Sequence, residues 1–510
     1  MKLKRLAPSV LLLLFLACSP KQAAEQEIES KPPNIIYVLA DDLGYGDLSA
    51  FNPEGKISTP HLDQLAAEGM KFTDAHTSSS VCTPTRYGII TGRYNWRSRL
   101  KAGVLWGQSK ALIPNNRQTV ASLLKKANYH TAFIGKWHLG WDWTMDENEE
   151  IDFSKPVSNN PNDLGFDYAY GHAASLDIPP YVYVENGMPT AVPTERTENK
   201  DYQGFWRDGL TAPDFVHEEV TPHFFDKSLQ YIQEQAKTDN QFFLYLALPS
   251  PHTPILPVGD WQGKSGLNPY ADFVMMVDDY MGKLNQAVKD AGLEENTMIV
   301  FTSDNGCSPR AQFEELEEKG HDPSYVFRGH KADIYEGGHR VPFIVKWPQV
   351  IQAGSKNNAT ICTTDLMATC AEINNLPLAD NAGEDSFSML PLFKQESGFE
   401  RTATIHHSID GEFALRQGDW KLVMCPGSGG WSHPTKKDLA ELDLPSFQLF
   451  NLKEDIGEEN NLIEKKPEKA KELQALLESI IKNGRSTDGQ PQSNDTVEEW
   501  KQIAWMKNKF

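Results

Sequence analysis

Cysteine is scarce in this sequence, and its scarcity excludes a disulfide-rich scaffold. The chain has 510 residues and 6 Cys, whereas small domains held together by disulfides contain them at a much higher density. One disulfide could still form in an oxidising compartment, but the sequence does not determine which cysteines would pair. The length is sufficient for one large domain and a smaller one.

Positive charge is also in short supply. Lys and Arg number 49 against 70 Asp and Glu, which gives a net charge of -21 at pH 7. This charge argues against nucleic acid as a partner, because binding to phosphates requires a surplus of cations. It does not exclude a small anionic ligand, because salt screens distant charges beyond roughly 10 Å and local cations then dominate.

A hydrophobic run long enough to cross a bilayer is missing as well. The apolar segment Val10 to Ala17 follows three cations and precedes Cys18, and its length is typical of a signal peptide rather than a membrane span. Its end resembles a bacterial lipobox. We therefore predict a lipoprotein-type signal peptide over residues 1–17, lipidation of Cys18 and a polar tether over residues 18–32. The alternative is an ordinary secretory signal with a chance Cys.

Two apolar segments each end in a pair of oxygen-rich side chains. Ile35 to Ala40 is followed by Asp41-Asp42, and Met298 to Ser303 is followed by Asp304-Asn305. Such runs are typical of strands buried on both faces of a parallel sheet, where ligand groups gather at the carboxyl ends. An acidic pair alone is more often a solvated turn. Together the two pairs predict a site for one divalent cation with oxygen ligands. No Cys or His residues accompany them at the spacing typical of zinc ligands, which argues against a zinc site.

Three further segments contain cations that an anionic ligand could use. Their residues are Lys136, His138, His252 and Lys331. Lys and His can bind anionic oxygens and supply a proton to a leaving group. A single His is more often a packed or surface residue than a catalytic one, and a single Lys is usually solvated. None of the three segments alone therefore predicts a catalytic site.

Residues 82–93, C-T-P-T-R-Y-G-I-I-T-G-R, carry the strongest pattern. Alone they could be a buried Cys before a turn, with Pro84 breaking the chain. The C-x-P-x-R opening, however, resembles the signature of the type I sulfatases. Other segments match that family in order: G-K-W-H-L-G from Gly135, P-H-x-P from Pro251, and G-x-K followed by Y-E-G-G-x-R from Gly329. The resemblance covers about residues 34–348, with weaker similarity beyond.

The resemblance implies covalent catalysis by a modified cysteine. In type I sulfatases this Cys is oxidised to formylglycine, whose hydrated aldehyde attacks sulfur with one hydroxyl and expels sulfate with the other. Cys82 would be that modified residue and the nucleophile, and a formylglycine-generating maturation enzyme would be a partner. Residue 82 would also complete the shell of one calcium ion, whose other ligands would be Asp41, Asp42, Asp304 and Asn305.

The same resemblance implies roles for the cationic residues. Arg86 would brace the formylglycine, and Lys136 would bind it or the sulfate. His138 would lie beside the formylglycine and assist the elimination of sulfate. His252 and Lys331 would bind sulfate oxygens and assist the leaving group.

Strand-like and helix-like segments alternate along the chain, which predicts an α/β fold. Predicted helices are His61 to Glu68, Thr119 to Ala127, Phe224 to Ala236 and Tyr270 to Ala291. Residues 141–221 show little periodicity and are predicted to form long loops over the sheet edge, where substrate would bind. For residues 33–398 the resemblance implies a catalytic domain with an alkaline-phosphatase-like three-layer sandwich and a large mixed sheet.

The pattern changes from about residue 399. Phe413 to Val423 predicts a hairpin, Ser446 to Leu452 a strand, and Lys466 to Asn483 an amphipathic helix. The resemblance implies that residues 399–510 form a small α+β subdomain with an antiparallel sheet.

The substrate is predicted from a more local resemblance. The chain as a whole resembles carbohydrate sulfatases of the N-acetylgalactosamine-6-sulfatase and arylsulfatase A kind, and residues 174–186 look like a segment of those akin to N-acetylgalactosamine-6-sulfatase. Asp177 could accept hydrogen bonds from sugar hydroxyls, and His172 or His407 could line the substrate pocket, although each could instead only organise a loop. The predicted substrate is a 6-O-sulfated galactose or N-acetylgalactosamine unit of a sulfated polysaccharide.

Two other functions remain open at this point. One is a phosphate or phosphonate monoester hydrolase of the same superfamily. The other is a non-catalytic surface lipoprotein that binds sulfated glycans, which the full set of matched residues argues against. In each case we expect a periplasmic or cell-surface bacterial lipoprotein that contacts the membrane only through its lipid anchor.

Overall fold

The computed structural model describes residues 31–507, so the predicted signal peptide, Cys18 and most of the tether lie outside the described residues. Strands are numbered in chain order: β1 Asn34–Asp41, β2 Met70–Phe72, β3 Ala75–His76, β4 His130–Lys136, β5 Tyr168–His172, β6 Val184–Glu185, β7 Met188–Pro189, β8 Glu195–Asn199, β9 Trp206–Thr211, β10 Phe242–Pro251, β11 Thr297–Ser303, β12 Phe343–Lys346, β13 Ser355–Asn357, β14 Ile361–Cys362, β15 Thr404–His407, β16 Phe413–Gln417, β17 Trp420–Val423 and β18 Gln448–Asn451.

The α-helices are numbered in the same way. They are α1 Pro60–Glu68, α2 Cys82–Thr91, α3 Val120–Lys125, α4 Val220–Gln235, α5 Pro269–Asp290, α6 Phe313–Glu318, α7 Glu336–His339, α8 Leu366–Ile373, α9 Leu390–Phe393 and α10 Pro467–Asn483. The four helices predicted before residue 300 are confirmed as α1, α3, α4 and α5, with ends shifted by at most four residues. Such shifts are expected, because capping residues determine where a helix ends, whereas the prediction used the spacing of apolar residues. Asn268, for example, caps α5 by accepting a hydrogen bond from the Ala271 N–H at 3.1 Å.

Ten strands form one mixed sheet in the order β13-β2-β12-β11-β1-β10-β4-β5-β6-β7. The central strands β11, β1, β10, β4 and β5 run parallel, and β12 joins β11 in the antiparallel direction. The apolar runs predicted as doubly buried strands are β1 and β11, which are direct neighbours with Ile35 opposite Met298. Their adjacency places Asp41 and Asp304 at the same edge of the sheet.

Helices cover both faces of this sheet. Ile36 and Val38 of β1 pack in one apolar cluster with residues of α1, α4 and α5, whereas Ile35 and Tyr37 pack in another with residues of α2, α3 and α8. Successive side chains of a strand point to opposite faces, so an unbroken apolar run can fill both clusters. The predicted three-layer α/β arrangement is therefore present.

The prediction of long loops over residues 141–221 is wrong in part. β5 pairs in parallel with β4, from Ala132 opposite Tyr168 to Lys136 opposite His172, and β6 and β7 extend the same edge. β8 and β9 form a separate two-stranded ribbon. β5 reads Y-A-Y-G-H, in which Tyr favours a strand but Gly and Ala do not, so five residues of mixed propensity gave no clear strand pattern without the pairing with β4.

The C-terminal part contains an antiparallel sheet, β15-β16-β17-β18, covered by α10. The predicted hairpin is β16 and β17, and the predicted strand and helix are β18 and α10. The tail after α10 packs back on this region: Trp505 is buried and the Lys101 ammonium lies 3.9 Å from the Trp500 ring centre. From Pro32 onward the chain forms one compact unit, so the proposed boundary at residue 399 stays a prediction.

Two further properties concern the described residues as a whole. The five cysteines among them are buried and free, so no disulfide joins them. No helix in residues 31–507 combines the length and apolar character needed to span a bilayer.

Candidate active site

The two oxygen-rich pairs meet at the carboxyl ends of β1 and β11. The Asp304 N–H donates to the Ala40 carbonyl at 3.0 Å, and the Asp42 N–H donates to Asp304 Oδ1 at 3.3 Å. Asn305 Nδ2 donates to Asp42 Oδ1 at 2.7 Å. All four side chains are at most 1% exposed. The structure therefore brings together the acidic residues that the sequence analysis placed in one site.

Two residues of this site adopt the left-handed backbone conformation. Asp42 has φ 64° and His138 has φ 54°. Non-glycine residues seldom adopt positive φ, although Asp and His do so more often than most. Such strain is retained where the surrounding contacts hold it, and it is common at functional sites.

Cys82 is the first residue of α2, directly beside the acidic group. Its Sγ lies 3.6 Å from Asp41 Oδ1, and the side chain is buried. Burial raises the pKa of the Cys82 thiol to about 12, against the opposing effect of the nearby Lys136 and Lys331. The unmodified thiol is therefore protonated at neutral pH and is a poor nucleophile.

Arg86 lies one helical turn after Cys82, on the same face of α2. Its Nε donates to Asp304 Oδ2 at 3.0 Å, and its Nη2 lies 3.6 Å from Asp41 Oδ2. Nη1 donates to the Lys136 carbonyl at 2.8 Å. The fully buried guanidinium thus bridges the ends of β1, β11 and β4 and neutralises carboxylates from two of them.

The other predicted cations complete the polar shell. Lys136 Nζ lies 2.5 Å from Asp41 Oδ2, and Lys331 Nζ lies 2.6 Å from Asp42 Oδ1. His252 Nδ1 is 2.5 Å from the Thr253 carbonyl, which requires a proton on Nδ1, and leaves Nε2 facing Asp42 at 3.6 Å. Burial and the neighbouring Lys331 lower the pKa of His252, so the ring is neutral unless a ligand changes its surroundings.

His138 also belongs to this group. Its Nε2 donates to the Leu105 carbonyl at 2.8 Å, and its buried Nδ1 has no hydrogen-bond partner. Burial, followed by the charges of Lys136 and Arg86, holds the pKa of His138 well below its usual range. A neutral ring with an unpaired Nδ1 can accept a proton or a hydrogen bond.

The electrostatics of the acidic group fit a bound cation. Burial and the charge of Asp41 raise the pKa of Asp304 to about 7. Burial would also raise the pKa of Asp41, but Lys136, His252 and Arg86 hold it well below its usual range. The buried Asn305 Oδ1 has no partner. Three carboxylates and an unpaired amide oxygen form a set of hard donors that suits an ion such as calcium.

A cavity of about 480 Å³ opens beside these residues. His252, Lys331 and Asp177 all line it. One Asp177 oxygen, Oδ2, forms an ion pair with Arg207, whereas Oδ1 is buried without a hydrogen-bond partner. Asp177 thus lines the cavity and keeps one acceptor that no protein group uses, and its binding of sugar hydroxyls stays a prediction.

The structure does not bring His172 and His407 to this cavity. The His172 ring stacks on Phe224 with a centroid distance of 5.7 Å, and burial lowers its pKa to about 3. His407 Nε2 lies 2.5 Å from Asn95 Oδ1, and its Nδ1 lies 3.0 Å from the Ser408 carbonyl. Both positions are those of packed residues, so the structure favours the structural alternative for each.

Several cavity residues were not predicted individually. They are Tyr202, Phe205, Arg207, Ser308, Arg310, His330 and Trp431. Three of them fall in residues 141–221, the region that was predicted to bind substrate. The others follow β11 or lie in the C-terminal part, where no local pattern distinguishes them from ordinary surface residues.

Comparisons with known proteins agree with this geometry. The sulfatase family model matches residues 33–375. An N-acetylgalactosamine-6-O-sulfatase of Bacteroides thetaiotaomicron is 31% identical, with 94% of this chain and 98% of that protein covered. Human arylsulfatase A is 30% identical, with 85% and 84% covered. A Bacteroides thetaiotaomicron structure from work on glycosaminoglycan metabolism has a TM-score of 0.78 at 32% identity and covers 88% of this chain and 99% of its own. The predicted fold is confirmed.

Arg86 should be essential for the stability of the site. Arg86→Met would leave Asp41 and Asp304 buried with one compensating cation fewer. We expect the free energy of unfolding to fall by about 3–5 kcal/mol, measured by chemical denaturation in the presence of a chelator.

A matched control is Arg196→Met, because Arg196 also forms a close ion pair, with Asp208, but both side chains are 54% exposed. Exposed pairs add little stability, so its denaturation midpoint should equal that of the wild type. Equal losses in the two variants would contradict the bridging role of Arg86.

Proposed function

We propose, on the premise that this chain belongs to the sulfatase family, that it removes sulfate from a carbohydrate. Membership of the family makes it a sulfuric ester hydrolase. The observation that carries the proposal is the buried group around Cys82, in which three carboxylates meet Arg86, Lys136 and Lys331, and of which Lys331 also lines a cavity. That arrangement suits a small anionic group held at the end of a larger polar substrate.

The proposed substrate is a 6-O-sulfated galactose or N-acetylgalactosamine unit. The name of the Bacteroides thetaiotaomicron relative supports this choice. So does the cavity wall, because Asp177 Oδ1 can accept a sugar hydroxyl, and Tyr202 and Trp431 are 51% and 47% exposed. Exposed aromatic rings beside a hydrogen-bond acceptor provide apolar contact and orientation for a sugar.

We further propose that Cys82 is converted to formylglycine. The buried thiol is protonated and cannot serve as an efficient nucleophile itself. When formed, formylglycine would supply a hydrated aldehyde as the nucleophile and a route for sulfate release. The conversion requires a formylglycine-generating enzyme, and we propose that the protein is exported as a lipoprotein of the bacterial cell envelope.

Calcium is the proposed metal. Asp41, Asp42, Asp304 and Asn305 would hold it together with residue 82, and it would supply positive charge beside the sulfate oxygens. The unpaired Asn305 Oδ1 supports this assignment, because a buried amide oxygen without a partner is costly unless a ligand satisfies it.

The remaining residues would act directly on the ester. Lys136 and Lys331 would donate hydrogen bonds to sulfate oxygens, and their charge would stabilise the charge that develops on the transferring group. His252 would donate a proton from Nε2 to the leaving oxygen once the anionic ester has favoured the protonated ring, since Nδ1 already donates to the Thr253 carbonyl. His138, with its unpaired Nδ1, can accept the proton that must leave when sulfate is expelled.

The modification of Cys82 can be tested by mass spectrometry. Trypsin releases Cys82 within the peptide Phe72–Arg86, and that peptide should be about 18 Da lighter than its sequence mass, as exchange of the thiol for an aldehyde requires. Cys82→Ala should fold normally and lose activity by about 10⁴-fold or more, because Ala offers no nucleophile.

The matched control for this experiment is Cys425→Ala, which also removes a buried, free thiol. It should retain both the lighter peptide and full activity. Full activity of Cys82→Ala, or an unmodified Cys82 in fully active enzyme, would contradict the proposed nucleophile.

The metal can be tested by titration. Chelation should inactivate the enzyme, calcium should restore activity best, and elemental analysis should find one calcium per chain. Asn305→Ala should weaken calcium binding by about 10-fold or more, because one oxygen ligand is lost.

Asn374→Ala is the control, because Asn374 Oδ1 is also buried without a partner but lies at the end of α8. Calcium affinity should be unchanged in that variant. Stoichiometric zinc in active wild-type protein would refute the calcium assignment.

A further inference from the structure

The wall of the active-site cavity carries an arginine that no acidic side chain neutralises. Arg310 lines the same cavity as His252 and Lys331. It follows Pro309 in the loop after β11, and its N–H donates to Ser308 Oγ at 3.3 Å. The cavity is continuous from this arginine to the proposed sulfate site, so one ligand can contact both.

The other cations of the cavity differ from Arg310 in having carboxylate partners. Arg207 is paired with Asp177, and Lys331 with Asp42. Within residues 31–507 no Asp or Glu forms an ion pair with Arg310. Among the described residues, Arg99 and Arg328 also form no ion pair, but they line other cavities, whereas Arg310 shares its cavity with Lys331.

The Arg310 guanidinium is held in place by neutral groups. Its Nη1 donates to the Tyr202 carbonyl at 3.0 Å, and its Cζ lies 4.6 Å from the Tyr202 ring centre and 5.4 Å from that of Phe205. One hydrogen bond and two aromatic contacts restrict the side chain but leave most of its five N–H groups unused by protein. A guanidinium that is already positioned loses little entropy when it binds a planar or tetrahedral anion.

We propose that Arg310 binds a second anionic group of the carbohydrate, so that the preferred substrate carries another acidic substituent besides the sulfate that is cleaved. This inference rests on the proposed function and deepens it. The anion would be a carboxylate on a neighbouring sugar or a second sulfate on the same sugar. Both accept paired N–H donors from a guanidinium. Tyr202 and Phe205 would then serve as the surface that holds both the arginine and the apolar face of the sugar.

The test compares three substrates that share the same reacting ester. They are N-acetylgalactosamine 6-sulfate, N-acetylgalactosamine 4,6-disulfate, and a disaccharide in which a uronate is linked to N-acetylgalactosamine 6-sulfate. The mature wild-type enzyme should have a kcat/KM about 10-fold higher on one of the two doubly charged substrates than on the monosulfate. The substrate that shows this preference identifies the second group as sulfate or carboxylate.

Arg310→Gln should remove that preference and leave the monosulfate rate unchanged, because Gln keeps polarity but loses the charge. Arg310→Lys should retain part of the preference. The control is Arg196→Gln, an arginine on β8 outside the cavity, which should behave as the wild type on all three substrates. Raising the ionic strength should move the wild type toward the equal rates of Arg310→Gln, because salt screens the attraction between Arg310 and the second anion.

The possible failures can be separated. A wild-type enzyme that cleaves the monosulfate as fast as both doubly charged substrates overturns the inference and leaves the proposed function intact. Equal losses of Arg310→Gln on all three substrates also overturn it, because they indicate a structural role. A protein with converted Cys82 that cleaves none of these sugars and no 4-nitrophenyl sulfate overturns the proposed function, and this inference with it.

Discussion

The rest of the site depends on three carboxylates that are buried together where β1 and β11 end. Asp41, Asp42 and Asp304 are at most 1% exposed, and like charges in a medium of low polarity repel strongly. Their ionisation is compatible with folding only because Arg86, Lys136 and Lys331 lie against them. The three cations offset the carboxylate charge, and a bound divalent ion would favour the ionised form of Asp304, whose pKa is otherwise raised, and would add the positive charge that an anionic substrate requires.

This constraint explains why the parts of the site come from distant segments. The neighbouring parallel strands β1 and β11 place Asp41 and Asp304 at one edge of the sheet, but the cationic side chain that neutralises them must come from another element. α2 begins at Cys82 and places Arg86 one turn later, so the same helix supplies both the modifiable residue and the group that neutralises the acids. Because Arg86 also binds the Lys136 carbonyl, the position of one lysine is fixed by the same contact network.

The core and the reactive group could be predicted from sequence because their patterns are local. An unbroken apolar run followed by two acids identifies β1, and a similar run identifies β11. The cavity wall could not be predicted in the same way. Arg310 meets Tyr202 and Phe205 across about a hundred residues of chain, and nothing in its own neighbourhood distinguishes it from a surface arginine. His407 was wrongly predicted to line the pocket, because the sequence around it gave no indication that both of its ring nitrogens face packed polar groups.

The number of cations that the buried carboxylates can bind helps to determine whether the site favours a sulfate ester or a phosphate ester. The donor set suits one ion, whereas many phosphatases use two metal ions to neutralise an ester that is nearly doubly charged at neutral pH. The most direct measurement is kcat/KM of the mature, calcium-loaded enzyme on the 6-sulfate and the 6-phosphate of the same sugar. A rate at least about 100-fold higher on the sulfate is predicted. Faster cleavage of the phosphate would contradict this account.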